Sequence, residues 1–510
     1  MVINVLIGGR AGQGINLISG MFSRILAANG YYTFNYRDYQ SLIRGGHNFN
    51  VLSISPNPIF SNESKLDVIV ALDDRTKNTH KSELKKGGIV IDYSKFQGAG
   101  RNLNFALAGS LLKVLGLPLE SLFHEIKERF GEKKEMSDFA SKGYESEENI
   151  FSLEKRKAKK VFSLSGSSAV ALGAKNSGLD VYIAYPMTPS TNALHEMAKN
   201  QLEKGMLVFQ AENEIGVANM ALGASFSGAK TMIGTSGGGF DLMSETLSLQ
   251  GITQIPLTVY LASRPGPGTG VPTYTAQADL DIALRAGHGE FPRVVIAPGT
   301  SEEVVEKTSE ALFLAEKFKT LSILLSDKHI AESEYTVEDK KFKAPKFKIS
   351  RKVPGKNHVR ASSYESNENG DSTEDAALVK KNMEARQKNY AEMKKFISKN
   401  FEMIKTYGNP KSENLIIGWG SPSGAIRDAL SRGLDAKFLQ VVYVKPLSDK
   451  IRTEMKKASR VILVENNSTG QLGRLLREKT GLKPDRKILK YDGRPFTVDE
   501  LEEKLRKAIK

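Results

Sequence analysis

The sequence predicts an α/β protein built from three domains, on three observations. The chain of 510 residues is too long for one hydrophobic core, and ordinary domain sizes divide it into about three units. Short apolar strand-like runs alternate with segments whose apolar residues recur at spacings of three and four, the pattern of helices layered on parallel sheets. Two charged stretches poor in branched apolar residues interrupt that alternation and divide the chain.

The first unit is expected over residues 1–130. It opens with an apolar strand from Val2 to Ile7, a glycine turn, and the helical pattern INLISGMFSRILAANG; strand-like runs follow at VLSIS, LDVIVALD and GGIVIDYS. This alternation predicts a parallel sheet. Residues 131–160 are charged and read as a solvated linker. The second unit, residues 161–330, begins with the small-residue helix SGSSAVALGAKNSG and the strand VYIAYP, and ends near the strand LSILLSD. Residues 331–408 are read as an exposed excursion around SSYESNENGDSTEDAA, followed by a linking helix, ALVKKNMEARQKNYAEMKKFISKNF. Apolar strands return in residues 409–510 at NLIIGWG, FLQVVYV and ASRVILVEN, giving a third, smaller α/β domain.

Composition narrows the function. Hydrophobic residues make up 40% of the chain and aromatics 8%, enough apolar surface for those cores. There is no cysteine, which excludes disulfides, iron–sulfur ligation by this chain and thiolate catalysis. Any redox cluster must sit on another chain. No apolar stretch of about 18 residues occurs and the start lacks the features of a secretory signal, so a cytoplasmic protein without membrane contact is expected. The net charge of +15 favours acidic partners. The basic residues are densest where acids are dense too, as in FHEIKERFGEKKE, and no zinc-finger or RNP-like spacing is present, so no nucleic-acid binding is expected.

Several segments have residues suited to ligand binding. GGRAGQG follows a strand and opens a helix, so amides around Gly9, Gly12, Gln13 and Gly14 can cradle a phosphate or carboxylate; the same glycines can also form a plain structural turn. RDYQSLIRGGHN puts Arg37, Arg44 and His47 near a Gly-Gly turn, with a surface loop as the alternative. In AYPMTPST two prolines stiffen the backbone around Met187 and Thr188 at the end of a strand, where α/β sheets present groups to ligands. QAENEIGVANMALGAS places Glu212 and Glu214 just before a helix rich in Ala and Gly, and on residue chemistry alone either is an acid stabilised by the helix dipole. TSGGGFDLMSE is a glycine-rich strand-to-helix turn that allows close approach of a ligand or backbone. In SRPGPGTGVPT, Arg264 leads a loop with three prolines and three glycines, and a guanidinium so held suits a carboxylate.

Taken in order, AYPMTPST, QAENEIGVANMALGAS, TSGGGFDLMSE, SRPGPGTGVPT, GHGEFPRVVIAP and VENNSTGQLGRLL resemble the alpha subunit of 2-oxoacid:ferredoxin oxidoreductases. GGRAGQG with RDYQSLIRGGHN resembles that family's gamma domain, fused here at the N-terminus. The resemblance implies a gamma-type domain, a thiamine-diphosphate pyrimidine-type domain and a C-terminal transketolase-C-like domain. It implies CoA-dependent oxidative decarboxylation of a 2-oxoacid to acyl-CoA and carbon dioxide, with reduction of ferredoxin.

By the same resemblance, Glu214 matches the glutamate that protonates the thiamine pyrimidine, with Ser236 and Gly237 near the cofactor. Thr188 and Arg264 match the residues that hold the substrate's carboxylate and keto end, with Tyr185 and Thr269 in the same loops. Gly9, Gly12, Gln13, Gly14, Arg44 and His47 are assigned to CoA or a subunit contact. Three positions depart from the usual pattern: Ala11, Gly238 and Gly268 stand where glycine, proline and serine are common. The Gly-Asp-Gly diphosphate motif is missing, so a beta subunit carrying Mg2+, the diphosphate site and a [4Fe-4S] cluster is expected, in a dimer of alpha–beta heterodimers. The gamma–alpha fusion points to 2-oxoglutarate or a broad 2-oxoacid range. A non-redox thiamine enzyme component and a catalytically silent scaffold are the competing readings.

Overall fold

The computed structural model describes residues 2–41, 46–154, 156, 161–199, 201 and 205–510. They form two compact units. One holds residues 1–164, 333–340 and 497–501; the other holds 165–332, 341–496 and 502–510.

The first unit is built on a sheet that includes β1 (Ile3–Gly9), β2 (Tyr32–Asp38), β3 (Asn48–Ser55), β4 (Leu66–Ala71), β5 (Leu84–Asp92) and β6 (Val161–Ser165). Its order is β5-β4-β1-β3-β2, then the late strand Glu334–Glu338, then β6. The expected parallel sheet is corrected to a mixed one: β1 runs parallel to β4 but antiparallel to β3, and β3 is antiparallel to β2. The stretch between Asp38 and Asn48 is too short for the crossover helix that parallel neighbours need. Ile15–Ala28 lays Ile18, Phe22, Ile25 and Leu26 onto this sheet's core.

The described residues of 131–160 also differ from the solvated linker expected. They carry the helix Lys134–Glu145, packed backbone to backbone against the helix Leu103–Leu115. A Cβ on Gly143 would fall 1.8 Å from the carbonyl oxygen of Ala106, and one on Gly109 equally intrudes on Ala140. Small residues make this contact, so its sequence reads as weakly apolar although it is core.

In the second unit, parallel strands β7 (Val181–Ala184), β8 (Leu207–Gln210), β9 (Thr231–Thr235), β10 (Leu257–Ser263), β11 (Arg293–Ile296) and β12 (Leu321–Asp327) form the central sheet, in the order β11-β12-β10-β9-β7-β8. The late strand Glu334–Glu338 is β13. A third sheet contains β14 (Ile404–Gly408), β15 (Asn414–Gly418), β16 (Lys437–Val441), β18 (Arg460–Glu465) and β19 (Arg486–Leu489), while β17 (Tyr443–Lys445) pairs antiparallel with β11 of the central sheet. One apolar core runs through both, with Ile183, Val259 and Ile323 joined to Leu415, Leu439 and Leu463.

The expected linking helix is present as Ala376–Asn400. The charged excursion before it is tied down at Arg351, which donates to Glu316, to Ser225 O at 2.7 Å and to Ala229 O at 3.0 Å. Among the described residues no helix is long and apolar enough to cross a membrane.

Candidate active site

The C-terminal ends of β7, β8, β9 and β10 lie side by side, and each runs into one of the singled-out segments: Tyr185–Thr188, Asn213–Glu214, Ser236–Gly239 and Arg264–Gly270. Loops at that end of a parallel sheet are free of ladder hydrogen bonds and share one crevice.

Glu214 is the first residue of the helix Glu214–Phe226, whose N-cap Asn213 accepts a hydrogen bond from Gly216 N at 2.8 Å. The cap fixes the chain direction and turns the Glu214 side chain inward, where it is only 4% exposed. Its Oε1 is buried and has no hydrogen-bond partner. Gly239 covers it: a Cβ there would lie 2.7 Å from both Cγ and Oε1 of Glu214. Glu212, by contrast, is exposed. The two acids that the sequence leaves open are therefore separated by burial. An orphaned carboxylate oxygen at a strand end suits a protonated ring nitrogen, so these residues fit the pyrimidine half of thiamine diphosphate.

Arg264 follows β10 and donates through Nη1 to the carbonyl oxygen of Thr188 at 2.9 Å, joining the two predicted substrate loops. Burial lowers its pKa from the ordinary guanidinium range, against the attraction of Asp279 and then Glu214. The rest of its loop is held by a close turn. Val271 N donates to Pro265 O at 3.1 Å, and Gly270, at φ +54°, leaves no room for a Cβ against that same carbonyl. Tyr185 and Thr269 are exposed, and Thr188 is half-buried. Ser236 is fully buried, its hydroxyl unpartnered, and Gly237 is buried beside it.

Sequence reasoning passed over Asp279. Its carboxylate lies under Gly237, whose added Cβ would sit 2.6 and 2.7 Å from the two oxygens. Burial pushes its pKa up to about 6; the Ser263 hydroxyl and Arg264 act against that, and Asp241 adds to it. In the sequence it precedes a short helix and reads as an ordinary capping acid.

The N-terminal segments are a separate feature of the first unit. Gly12 and Gly14 adopt φ +89° and +90°, and Gln13 folds back so that its Oε1 accepts from Arg10 N. A Cβ on Gly9 would lie 2.6 Å from Gln13 Oε1 and 2.9 Å from Leu72 Cβ. His47 is buried, its Nε2 2.8 Å from His80 Nε2, and His80 Nδ1 meets Glu83 at 2.8 Å. Burial, and next His80, lower the His47 pKa. Arg44 lies outside the described residues.

Comparison with known proteins agrees with this arrangement. A family model described as pyruvate flavodoxin/ferredoxin oxidoreductase, thiamine diphosphate-binding, matches residues 172–405, and the pyruvate ferredoxin/flavodoxin oxidoreductase model matches residues 4–97. A 2-oxoacid:ferredoxin oxidoreductase subunit alpha from Sulfolobus sp is 31% identical, covering 100% of this chain and 97% of the relative. That of Sulfurisphaera tokodaii is 30% identical over 100% and 98%. A solved 2-oxoglutarate:ferredoxin oxidoreductase from Magnetococcus marinus, with 2-oxoglutarate, coenzyme A and succinyl-CoA bound, superposes with a TM-score of 0.91 at 26% identity over the whole of both chains. With its strand-end loops, buried Glu214 and these full-length relatives, the chain belongs to the 2-oxoacid:ferredoxin oxidoreductase family, as an alpha subunit.

Proposed function

We propose that this subunit, paired with a beta subunit, oxidatively decarboxylates 2-oxoglutarate or a broad range of 2-oxoacids to the acyl-CoA, with ferredoxin as electron acceptor. The observation that carries the reading is the buried Glu214 carboxylate, its Oε1 without a hydrogen-bond partner, at the same end of the sheet as Arg264. Bound thiamine diphosphate supplies the nucleophile for the keto carbon and the electron sink for decarboxylation. Glu214 holds a proton on the pyrimidine nitrogen, a general acid/base task that water cannot take over at a buried carboxylate. Arg264 orients the substrate's carboxylate, steadied through Thr188 O, and the Thr188 hydroxyl with Tyr185 and Thr269 borders the keto end. Ser236 and Gly237 form the wall on the cofactor's side.

Support for a partner-completed centre comes from exposed apolar residues on the same elements. Ile215 and Met220 share the helix of Glu214, Leu242 follows Ser236, Val271 ends the Arg264 loop, and all are more than two-fifths exposed. Apolar surface of this kind marks contact with another chain. Since the chain has no cysteine, the [4Fe-4S] cluster, with Mg2+ and the diphosphate site, is assigned to the beta subunit, in a dimer of alpha–beta heterodimers. The amides of Gly9, Gly12, Gln13 and Gly14, with Arg44 and His47, are assigned to coenzyme A or to a subunit contact in a cytoplasmic enzyme. The test is co-purification with the beta subunit followed by a 2-oxoacid panel with CoA and a viologen dye. Reduction that requires CoA and is fastest with 2-oxoglutarate is expected; a complex inert on every 2-oxoacid refutes the reading.

A further inference from the structure

We propose that a basic cleft in the second unit, walled by the helices Lys450–Lys457 and Gln471–Thr480 and floored by Lys445, binds a nucleoside di- or triphosphate. No residue of the four strand-end loops lines it. The helix Leu280–Arg285 begins beside Asp279 at the crevice and brings its last turn, Leu284 and Arg285, to the cleft.

The cleft encloses about 1130 Å³, and all its lining residues belong to the second unit. Seven of them are Lys or Arg and two are acids. Both acids are already engaged: Glu478 meets Arg285 at 2.7 Å and Lys479 at 2.9 Å, and Asp449 meets Lys394 at 3.0 Å. Among the described residues no acid pairs with Lys445, Arg452 or Lys456. Lys445 Nζ donates to Leu284 O at 3.3 Å and Arg452 Nε to Thr480 O at 3.2 Å. Carbonyls at helix ends carry partial charge, far less than a carboxylate would supply.

Beneath Lys445 the imbalance continues into the core. Lys445 stands opposite Val295 in the pairing of β17 with β11, and Arg293 precedes Val295 by two residues, so both cations project from one face of the sheet. Arg293 is 3% exposed. It donates to Ala286 O at 2.6 Å and Ala283 O at 3.4 Å, and its Nε has no partner. Desolvated cations without a carboxylate are costly, and an anion seated between the walls offsets that cost. Desolvation, followed by Arg293, Lys479 and Arg285, lowers the Lys445 pKa to about 8, and Glu478 is the one group acting against them.

The dimensions select the kind of anion. Small-molecule sites usually enclose about 300–1,000 Å³, and a single phosphate would leave most of this cleft empty. The unpaired cations lie on the floor and along one helix, a spacing that suits a chain of phosphates. Half-buried Tyr390, with Leu284, Val444 and Leu475, adds an apolar wall on which a base can stack. The anion favours protonated Lys445, so binding takes up a proton near pH 8 and weakens as the pH rises through that value.

The test is calorimetric titration of the alpha–beta complex with ADP and with inorganic pyrophosphate, after saturation with thiamine diphosphate and coenzyme A to fill the other phosphate sites. ADP is expected to bind more tightly than pyrophosphate, and both should weaken at high salt and above pH 8. Lys445→Met should weaken both by roughly tenfold or more, whereas Tyr390→Ala should weaken ADP alone. The Lys445→Met complex should remain folded, since it loses a cation that burial disfavours, and ADP should no longer raise its melting temperature. Undiminished ADP binding by Lys445→Met and by Arg452→Ala would place the nucleotide elsewhere and overturn the proposal. Failure of both probes to bind the native complex overturns it as well. Pyrophosphate binding as tight as that of ADP, with Tyr390→Ala silent on both, would reduce the cleft to a bare phosphate site and overturn the nucleotide.

Discussion

Replacing Glu214 by Gln removes one charge and almost no volume, and the effect expected of it follows from the surroundings of that side chain. Glu214 is 4% exposed, its Oε1 has no hydrogen-bond partner, and Gly239 closes over it at a distance that excludes any larger residue. Loss of a positioned general acid or base lowers turnover by about 100- to 10,000-fold, or roughly 3–5 kcal/mol of transition-state stabilisation. The folded chain without cofactor, however, should be no less stable, because a neutral amide is easier to bury than an incompletely paired carboxylate. Glu212, two residues earlier and exposed, is the internal control, and Glu212→Gln should change either quantity by no more than about 0.5 kcal/mol. The assay is viologen reduction by the reconstituted complex, paired with thermal unfolding of the isolated chain. Equal losses at the two positions would refute the assignment of the acid. So would a Glu214→Gln chain that melts well below the native one, since the burial argument requires the opposite.

Three further outcomes are expected. Arg264→Ala in the complex should lower kcat/KM for every 2-oxoacid roughly a hundredfold, on the order of 3 kcal/mol for a lost charge-assisted bond, with thiamine diphosphate still bound; near-normal kcat/KM would show that the carboxylate is held elsewhere. Gly143→Ala should destabilise the first unit by about 1–3 kcal/mol in denaturant unfolding, because its Cβ would collide with the backbone of Ala106; an unchanged midpoint would mean the two helices do not touch. Lys445 is half-buried, and its pKa is lowered to about 8 by desolvation and then by Arg293, Lys479 and Arg285. Between about pH 8 and its unfolded value near 10.4 the unfolded chain binds a proton that the folded chain does not, so native stability gains with pH across that window. Lys445→Met should therefore melt higher than the native chain at pH 7, and its advantage should shrink from pH 8 to 10; an advantage independent of pH would contradict this.

Much of the architecture was legible because it is local. A run such as Leu257–Ser263 can be read as a buried strand from its own residues, and a helix such as Ala376–Asn400 from its periodicity. The order of six ligand-loop segments identified the family, and Arg264, Thr188 and Glu214 could be placed at strand ends because each follows a strand that the sequence already marks.

The rest depended on partners distant in the chain. The mixed pairing of β1 with β3 and β4, and the return of β13 to the first sheet, are matters of register between segments up to three hundred residues apart. The helix Lys134–Glu145 is core because Gly109 and Gly143 let two backbones approach, a gain invisible to any count of apolar residues. Glu212 and Glu214 are equivalent by residue chemistry alone, and the Asn213 cap with Gly239 buries only the second, the one the family resemblance points to. Asp279 directly precedes a short helix, yet Gln471, almost two hundred residues later, caps that helix while the Asp279 carboxylate lies buried under Gly237. Sequence alone decided which side chains exist at the strand ends and the chemistry they can perform. Tertiary structure decided which of them lose water, because desolvation is set by whatever packs over a residue and not by the residue itself.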